Sequence, residues 1–496
     1  MKASDDNQGL LRSRVSRREL LQLGALAIGA ASVGLVACGE EEEAAKGTVQ
    51  PSPASSTAQP PPVSPTTRPS VSGTPGPIGS VRELAEKLWT GEVTTYEHHP
   101  FTSDLGDIEE IADRTIFYRS FANVTAFETD AGLVLIDTGA FFNQAQTHEA
   151  IRRWSKSRLD TAVYTHGHVD HVFGVPPFAE EAKERGWQPP RVVGHEAVAA
   201  RFDRYVLTAG YNAIINSRQF GGAIEWPTSY TYPDVTYDKS MVLTSGDVSF
   251  ELYHARGETD DHTWVWVPQR KVLCPGDLII WAVPNAGNPQ KVQRYCAEWA
   301  EALRKMATLN AEVLSPGHGI IVVGQDRVRQ ILLETAEFLQ SLHDQTVALM
   351  NEGATLDAIV HTVKPPAHLK DRPFLQPVYD EPEYIVRNVW RLYGGWYDGN
   401  PSHVKPAPEA EQAAEVADLA GGVSVLVKRA RTLMEQGNLR LGCHVIEWAA
   451  AAEPDNRKVH ELRAEIYGTR VSDETATMTQ GIFGAAARES RAKAGG

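Results

Sequence analysis

Cysteine is scarce in this chain: four residues in 496, at positions 38, 274, 296 and 443. They are too few and too scattered for a disulfide framework, and no Cys-x-x-Cys pair offers a thiolate zinc site. A basic excess is also missing. Lys+Arg 48 against Asp+Glu 63 gives a net charge of −15, which removes the electrostatic footprint of a general nucleic-acid binder. Beyond solubility, that balance selects no substrate. The long apolar run near the start, residues 20–37, is rich in Gly and Ala and is too short and too weakly apolar for a spanning helix. What the chain does have is length, enough for about three domains and a sizeable core.

The first forty residues read as an address. Ser16-Arg17-Arg18-Glu19-Leu20-Leu21 sets paired arginines directly before the apolar run, the order of a twin-arginine export signal. The run closes on Leu35-Val36-Ala37-Cys38-Gly39, which resembles the lipobox of bacterial lipoproteins, where the Cys is acylated and becomes the mature N-terminus. The expectation is a signal over residues 1–38 and export of folded, metal-loaded protein. Lipid attachment at Cys38 would tether it on the extracytoplasmic side of a bacterial cell membrane, the lipidated terminus being its only membrane contact. Residues 39–80 carry an acidic run and then mostly Pro, Ser, Thr and Gly. Such composition cannot bury enough apolar surface to order itself, and predicts a disordered, semi-extended linker.

From residue 81 strands and helices alternate. Residues 115–120, 124–128, 132–137 and 161–164 read as short strands, as do 248–254, 263–267 and 271–274, while 145–155 has a helical pattern. This interleaving predicts an α/β body. Apolar residues Val328, Ile331, Leu332, Leu339 and Leu342 repeat at helical spacing over 325–351, closed by Gly353. A proline-rich stretch from Pro365 to Pro377 marks a boundary. The chain beyond Lys405 is Ala-rich and helical, broken at Gly421-Gly422, Gly437-Asn438 and Pro454-Asp455-Asn456. Such short breaks predict antiparallel helix pairs, similar to a tetratricopeptide-type array without its repeat signature.

The decisive motif is Thr165-His166-Gly167-His168-Val169-Asp170-His171, directly after an apolar strand. An alternating His-x-His on an extended segment points both rings to one side, so His166 and His168 can share one metal. Asp170 and His171, after the turn, can face a second. Zinc suits this set of nitrogen and oxygen donors.

H-x-H-x-D-H resembles the signature of the metallo-β-lactamase fold hydrolases, and that resemblance implies the rest of a site. Leu135-Ile136-Asp137-Thr138-Gly139 is similar to the strand end whose aspartate braces the ligand loop from behind. Cys274-Pro275-Gly276-Asp277 is similar to the segment carrying the aspartate that bridges both metals, and Ser315-Pro316-Gly317-His318 to that of the last histidine ligand. Most relatives place Gly-His at the remaining position. This chain has Arg256-Gly257-Glu258-Thr259-Asp260-Asp261-His262, so Glu258 stands where the His is missing, with His262 as its rival. Glu at that place is a feature of the alkylsulfatase branch, in which the bridging ligand is usually Glu rather than an aspartate such as Asp277. His98, His99 and His195 read as core or surface histidines, and Cys274 as a small buried residue.

A second resemblance points to the same branch. Tyr393-Gly394-Gly395-Trp396-Tyr397-Asp398-Gly399-Asn400-Pro401 resembles the W-Y-x-G-N-P element of the alkylsulfatase dimerisation domain, and Tyr211-Asn212-Ala213 with Arg218 the stretch that brings a sulfate-contacting asparagine. Lys291 and Arg294 can meet an anionic head group or lie as surface charges on a helix; the branch's sulfate-binding arginine is displaced here. With Gly496 following the helical array, the chain is expected to lack the sterol-carrier-like domain that often closes those enzymes.

Together these readings imply an αββα metallo-β-lactamase sandwich over residues 81–360, followed by an all-α helical dimerisation domain over 361–496. They imply two zinc ions per chain held by His166, His168, Asp170, His171, Glu258, Asp277 and His318, with Asp170 also orienting the nucleophile. Paired zinc makes hydroxide available near neutral pH. The expected activity is cleavage of alkyl sulfate esters to alcohol and inorganic sulfate by a homodimer. Alternatives are a hydrolase of the same fold acting on a phosphodiester, lactone or thioester, and a lipid-tethered binding protein.

Overall fold

A computed structural model describes residues 80–495 apart from Asp104. Arg17, Arg18, Cys38 and the linker as far as residue 79 lie outside the described residues. After a first helix, α1 (Ser80–Thr90), the strands build two sheets in strict chain order. The first contains β1 (Ile108–Ala112), β2 (Thr115–Tyr118), β3 (Val124–Thr129), β4 (Gly132–Ile136), β5 (Leu159–Val163), β6 (Arg191–His195) and β7 (Val235–Tyr237). The second contains β8 (Ser240–Ser245), β9 (Val248–His254), β10 (Thr263–Val267), β11 (Val272–Gly276), β12 (Val313–Pro316) and β13 (Val322–Val323).

Both sheets are mixed. β1 to β4 form an antiparallel meander, whereas β4 to β7 run parallel. Parallel neighbours need crossovers, and these are α2 (Gln144–Trp154), α3 (Val175–Arg185) and the pair α4 (Ala197–Leu207) and α5 (Ala209–Phe220). In the second sheet the parallel pair β11 and β12 is joined through α6 (Cys296–Met306).

The layering follows from the period-two direction of strand side chains. Phe117, Phe127, Val134, Ile136, Val163 and Val193 pack inward with Phe250, Leu252 and Trp264 of the second sheet, forming one core. Their neighbours Ile116, Leu133 and Leu135 turn outward onto Ile151 of α2 and Phe178 of α3. Phe127 meets Phe250 edge to face, ring centres 5.2 Å apart, across the two sheets. The long helix α7 (Gln325–Asn351) packs the inward stripe read from the sequence against the second sheet, and α6 lies alongside it. The result is the expected αββα sandwich.

The helices that follow divide between two cores. Ile359 and Val360 of α8 (Leu356–Thr362), with Ile385, Val386 and Val389 of α9 (Pro382–Gly394), belong to the core of the sandwich. A separate core is made by α10 (Glu409–Ala420), α11 (Val423–Glu435), α12 (Leu439–Ala452) and α13 (Arg457–Asp473). Their breaks are those the sequence marks: Gly421 ends α10 in the left-handed region at φ 92°, and the side chains of Asn438 and Asn456 cap α12 and α13. The last helix, α14 (Thr477–Lys493), reaches back to α5. The approach is so close that a Cβ on Gly481 would lie 2.0 Å from the Gln219 carbonyl oxygen. No described helix is long and apolar enough to cross a membrane.

Candidate metal centre

Strand ends at one edge of the sandwich deliver the chemistry-bearing residues. Asp137 follows β4, Thr165 to His171 follow β5, Asp277 follows β11 and His318 follows β12, while Glu258 and His262 sit in the loop between β9 and β10. Open α/β sheets bind ligands outside the carboxyl ends of their strands because side chains from several strands converge there. Two clusters of potential ligand atoms result: His166, His168, Glu258 and Asp277 in one, and Asp170, His171 and His318 in the other.

Asp277 stands between the clusters. Its Oδ2 is 3.8 Å from His166 Nε2 and 3.2 Å from His318 Nε2, and its Oδ1 is 3.3 Å from His171 Nε2. Asp170 Oδ2 lies 3.4 Å from His318 Nε2 and 3.7 Å from His171 Nε2. Glu258 Oε2 is 3.7 Å from both His166 Nε2 and His168 Nδ1, which are themselves 2.8 Å apart. The close approach of Asp277 depends on Gly317, where a Cβ would fall 2.0 Å from the Asp277 Oδ1.

A fixed outer layer sets which atoms point inward. Asp137 takes the Thr165 amide at 2.7 Å on Oδ1, and on Oδ2 the Thr165 hydroxyl at 2.9 Å and His171 Nδ1 at 2.7 Å. A carboxylate accepts only, so Nδ1 carries the proton and Nε2 is the donor atom left for a ligand. His318 Nδ1 is fixed on the Phe121 carbonyl, and Asn123 holds the loop below it by donating to the Pro316 carbonyl at 3.0 Å. Glu258 Oε1 is taken by Asn285 Nδ2 and by Arg294 Nη1, the latter at 2.6 Å, which leaves Oε2 for the histidines.

Burial and charge pull these groups in opposite directions. Burial, helped by neighbouring cations and imidazoles, holds His166 and His168 well below the usual histidine range, so both rings are neutral donors. Burial would lower His171 too, but the carboxylates of Asp277, Asp137 and Asp170 outweigh it and hold that ring well above its usual value. Glu258 is pushed well up by burial against the pull of Arg294, with Asp277 adding to the rise. Burial also presses Asp277 upward, yet His318 and His171 carry it well below the carboxylate range. A field that favours a proton on His171 equally favours a divalent cation.

The donor chemistry fits metal ions. His171 Nε2, Glu258 Oε2 and Asp277 Oδ1 are buried without a hydrogen-bond partner. Orphaned buried polar atoms are costly, and all three face the two clusters, where coordination would satisfy them.

The remaining sequence candidates fall around this centre. His262 is buried but turned away: its Nε2 meets the Pro275 carbonyl at 3.0 Å and its ring stacks on His166 at 4.9 Å. It belongs to neither cluster. Asn212 on α5 is buried and donates to Thr208, and Arg218 is exposed and bonded to Gln290 at 2.7 Å. Lys291 and Arg294 lie in the loop before α6 rather than on a helix surface. His195 packs face to face on His254, ring centres 3.7 Å apart, away from both clusters.

Sequence reading missed the braces. Arg201 and Asp261 form a buried ion pair at 2.9 Å, and Asp261 also takes the Gly167 amide at 2.9 Å, fixing the turn between the first two histidines. Asp261 sits in the run already singled out around Glu258. Arg201, Asn123 and Asn285 carry no local pattern that would single them out.

Comparison with known proteins matches two stretches of the chain. Residues 118–318 match the metallo-beta-lactamase superfamily, and residues 355–493 match the alkyl sulfatase dimerisation family. A linear primary-alkylsulfatase of Pseudomonas sp. is 26% identical over 366 residues, covering 68% of this chain and 68% of its own. An (R)-specific secondary-alkylsulfatase of Pseudomonas sp. is 28% identical over 375 residues, 69% of this chain and 56% of its own. The solved structure of a stereoselective inverting sec-alkylsulfatase from Pseudomonas sp. shares the fold with a TM-score of 0.71 at 24% identity, over 77% of this chain and 65% of that one. The chain thus spans between about half and two thirds of the length of these proteins.

Proposed function

Since the chain joins a metallo-β-lactamase domain to an alkyl sulfatase dimerisation domain, we propose that it is a zinc-dependent hydrolase of alkyl sulfate esters. It would release the alcohol and inorganic sulfate. His166, His168 and Glu258 would hold one zinc ion, Asp170, His171 and His318 a second, and Asp277 would serve both. The observation that carries this is the set of orphaned buried atoms His171 Nε2, Glu258 Oε2 and Asp277 Oδ1, converging from three strand ends. Metal ions held there would offer Lewis acidity, making water more acidic near neutral pH and setting positive charge against the ester oxygens.

The protein's own groups do the rest. Asp170, less buried than His171 and His318 beside it, would be the carboxylate that orients the attacking water and takes its proton. Asp137 holds His171 in one tautomer through Nδ1. The end of α9 and the chain beyond it would pair two chains, Tyr393, Trp396 and Tyr397 there being exposed aromatic residues. Export through the paired arginines and lipid attachment at Cys38 complete the proposal.

The test is sulfate release from short and long alkyl sulfates by the zinc-loaded protein, beside a bis-aryl phosphate, a lactone and a thioester. Turnover of the sulfates alone supports the reading. Turnover of another class alone transfers the same site to that chemistry. Asp170→Ala should abolish activity and leave unfolding cooperative.

A further inference from the structure

Two cations lie on the loop between β11 and α6, and their surroundings differ. Arg294 is neutralised by Glu258 at 2.6 Å. Lys291 has only a neutral partner: its Nζ donates to Asn216 Oδ1 at 2.9 Å and forms no ion pair among the described residues. It lies 5.7 Å from the Trp226 ring centre. Burial, with the charge of Arg294, pulls its ammonium down to about 7, and Asp170 and Glu258 act on it in the opposite direction. The loop itself reaches the metal centre, since Arg294, three residues on from Lys291, contacts Glu258 Oε1 at 2.6 Å.

The placement is built rather than incidental. Asn216 is buried on α5 and donates Nδ2 to the Asn212 carbonyl at 2.8 Å, which turns its oxygen toward Lys291. The loop docks on α5 through Gln290, which accepts from Arg218 at 2.7 Å. Asp380 anchors the loop from the other side, taking the amides of Gly287 at 2.7 Å and Asn288 at 3.3 Å. An ammonium has three donors; Asn216 uses one. A held cation with donors to spare gains most from an incoming oxyanion, because charge-assisted hydrogen bonds are the stronger kind.

We propose that Lys291 grips the oxyanion half of the substrate and that Asn216 is the positioning residue that aims it. The proposal rests on the ester-hydrolase reading and deepens it: the preferred substrates are esters whose acid half is a tetrahedral oxyanion, and neutral lactones and thioesters lose this contact.

The test uses zinc-loaded protein and hexanesulfonate, an uncleavable alkyl oxyanion, titrated by calorimetry. Lys291→Gln should weaken its binding about tenfold or more, and Lys291→Arg should keep it within about threefold. Asn216→Ala should weaken it about threefold and raise KM for hexyl sulfate, with kcat and zinc content held, a split that general loosening of the fold would not give. Unchanged affinity in Lys291→Gln overturns the anchor. Unchanged affinity in Asn216→Ala overturns the aiming role, and that variant carries the test should Lys291→Gln fail to fold. Wild-type protein that binds hexanesulfonate through Lys291 but releases no sulfate from hexyl sulfate would instead defeat the hydrolase reading alone.

Discussion

Arg294 sets its guanidinium 2.6 Å from Glu258 Oε1, both side chains almost wholly shielded from water. The pair explains how a carboxylate can stand in the metal group where an imidazole is more usual. Burial and Asp277 hold the Glu258 carboxyl well above its usual range even against the pull of Arg294. Arg294 supplies the opposing charge and also donates to the Glu258 carbonyl at 3.0 Å. Removing one partner of such a buried pair leaves a charge uncompensated, at about 3–5 kcal/mol.

Arg294→Met should therefore make zinc binding more acid-sensitive. Without the guanidinium the Glu258 carboxyl rises further above its usual range, so protons compete with metal up to a higher pH. The pH at which half the zinc is lost on dialysis should move upward relative to wild type. An unchanged midpoint would show that Arg294 does not tune this ligand.

Glu258, and not His262, should be required for the full metal load. Elemental analysis of the wild type should give about two zinc per chain, and Glu258→Ala should lose one equivalent. His262→Ala should keep both while losing stability, since its bond to the Pro275 carbonyl is worth about 1 kcal/mol. Loss of zinc in His262→Ala with retention in Glu258→Ala would reverse the assignment.

Replacing Glu258 by His should lower the pH of half-maximal activity, provided both sites still fill. The sign follows from charge: imidazole removes a negative ligand and leaves Arg294 unopposed, so the water at the metals becomes more acidic. A pH–rate profile displaced upward would contradict this.

Gly481→Ala should destabilise the protein and loosen the substrate wall together. Its methyl would meet the Gln219 carbonyl, and overpacking of two backbones costs about 1–3 kcal/mol. The melting temperature should fall, and KM for alkyl sulfates should rise because α5 carries Asn216. A melting temperature equal to wild type would mean α14 does not rest on α5 in solution.

Association should run through the end of α9 and the segment that follows it. Trp396 is 72% exposed and has Tyr393 and Tyr397 beside it in sequence, the aromatic composition of an interface core. Light scattering should give a dimer at micromolar concentration for the wild type and a larger monomer fraction for Trp396→Ser. A wild-type monomer under those conditions would remove the proposed role of this surface.

Much of this protein is determined by local sequence. The short strands read over residues 115–137 and 161–164 and the helical stripe of 325–351 are set by side-chain direction within a few residues; β2 to β5, β9 to β11 and α7 fall where those patterns put them, whereas β1, β6 to β8, β12 and β13 were not read from the sequence. The ligand candidates were legible for the same reason: a His-x-His-x-Asp-His run after a strand announces itself without any partner. What the sequence left open was decided by distance in the chain. Whether Glu258 or His262 faced the histidines depended on which way a loop turned, and Asn285 and Arg294, 27 and 36 residues further on, hold Glu258 inward while the Pro275 carbonyl draws His262 out. Lys291 and Arg294 are alike in composition and close in sequence, yet one met a carboxylate and the other an amide. Residues from 361 onward read as the start of a helical domain, but α9 buries its apolar face in the core of the sandwich. An apolar stripe states that a helix must be covered; only the tertiary structure supplies the surface that covers it.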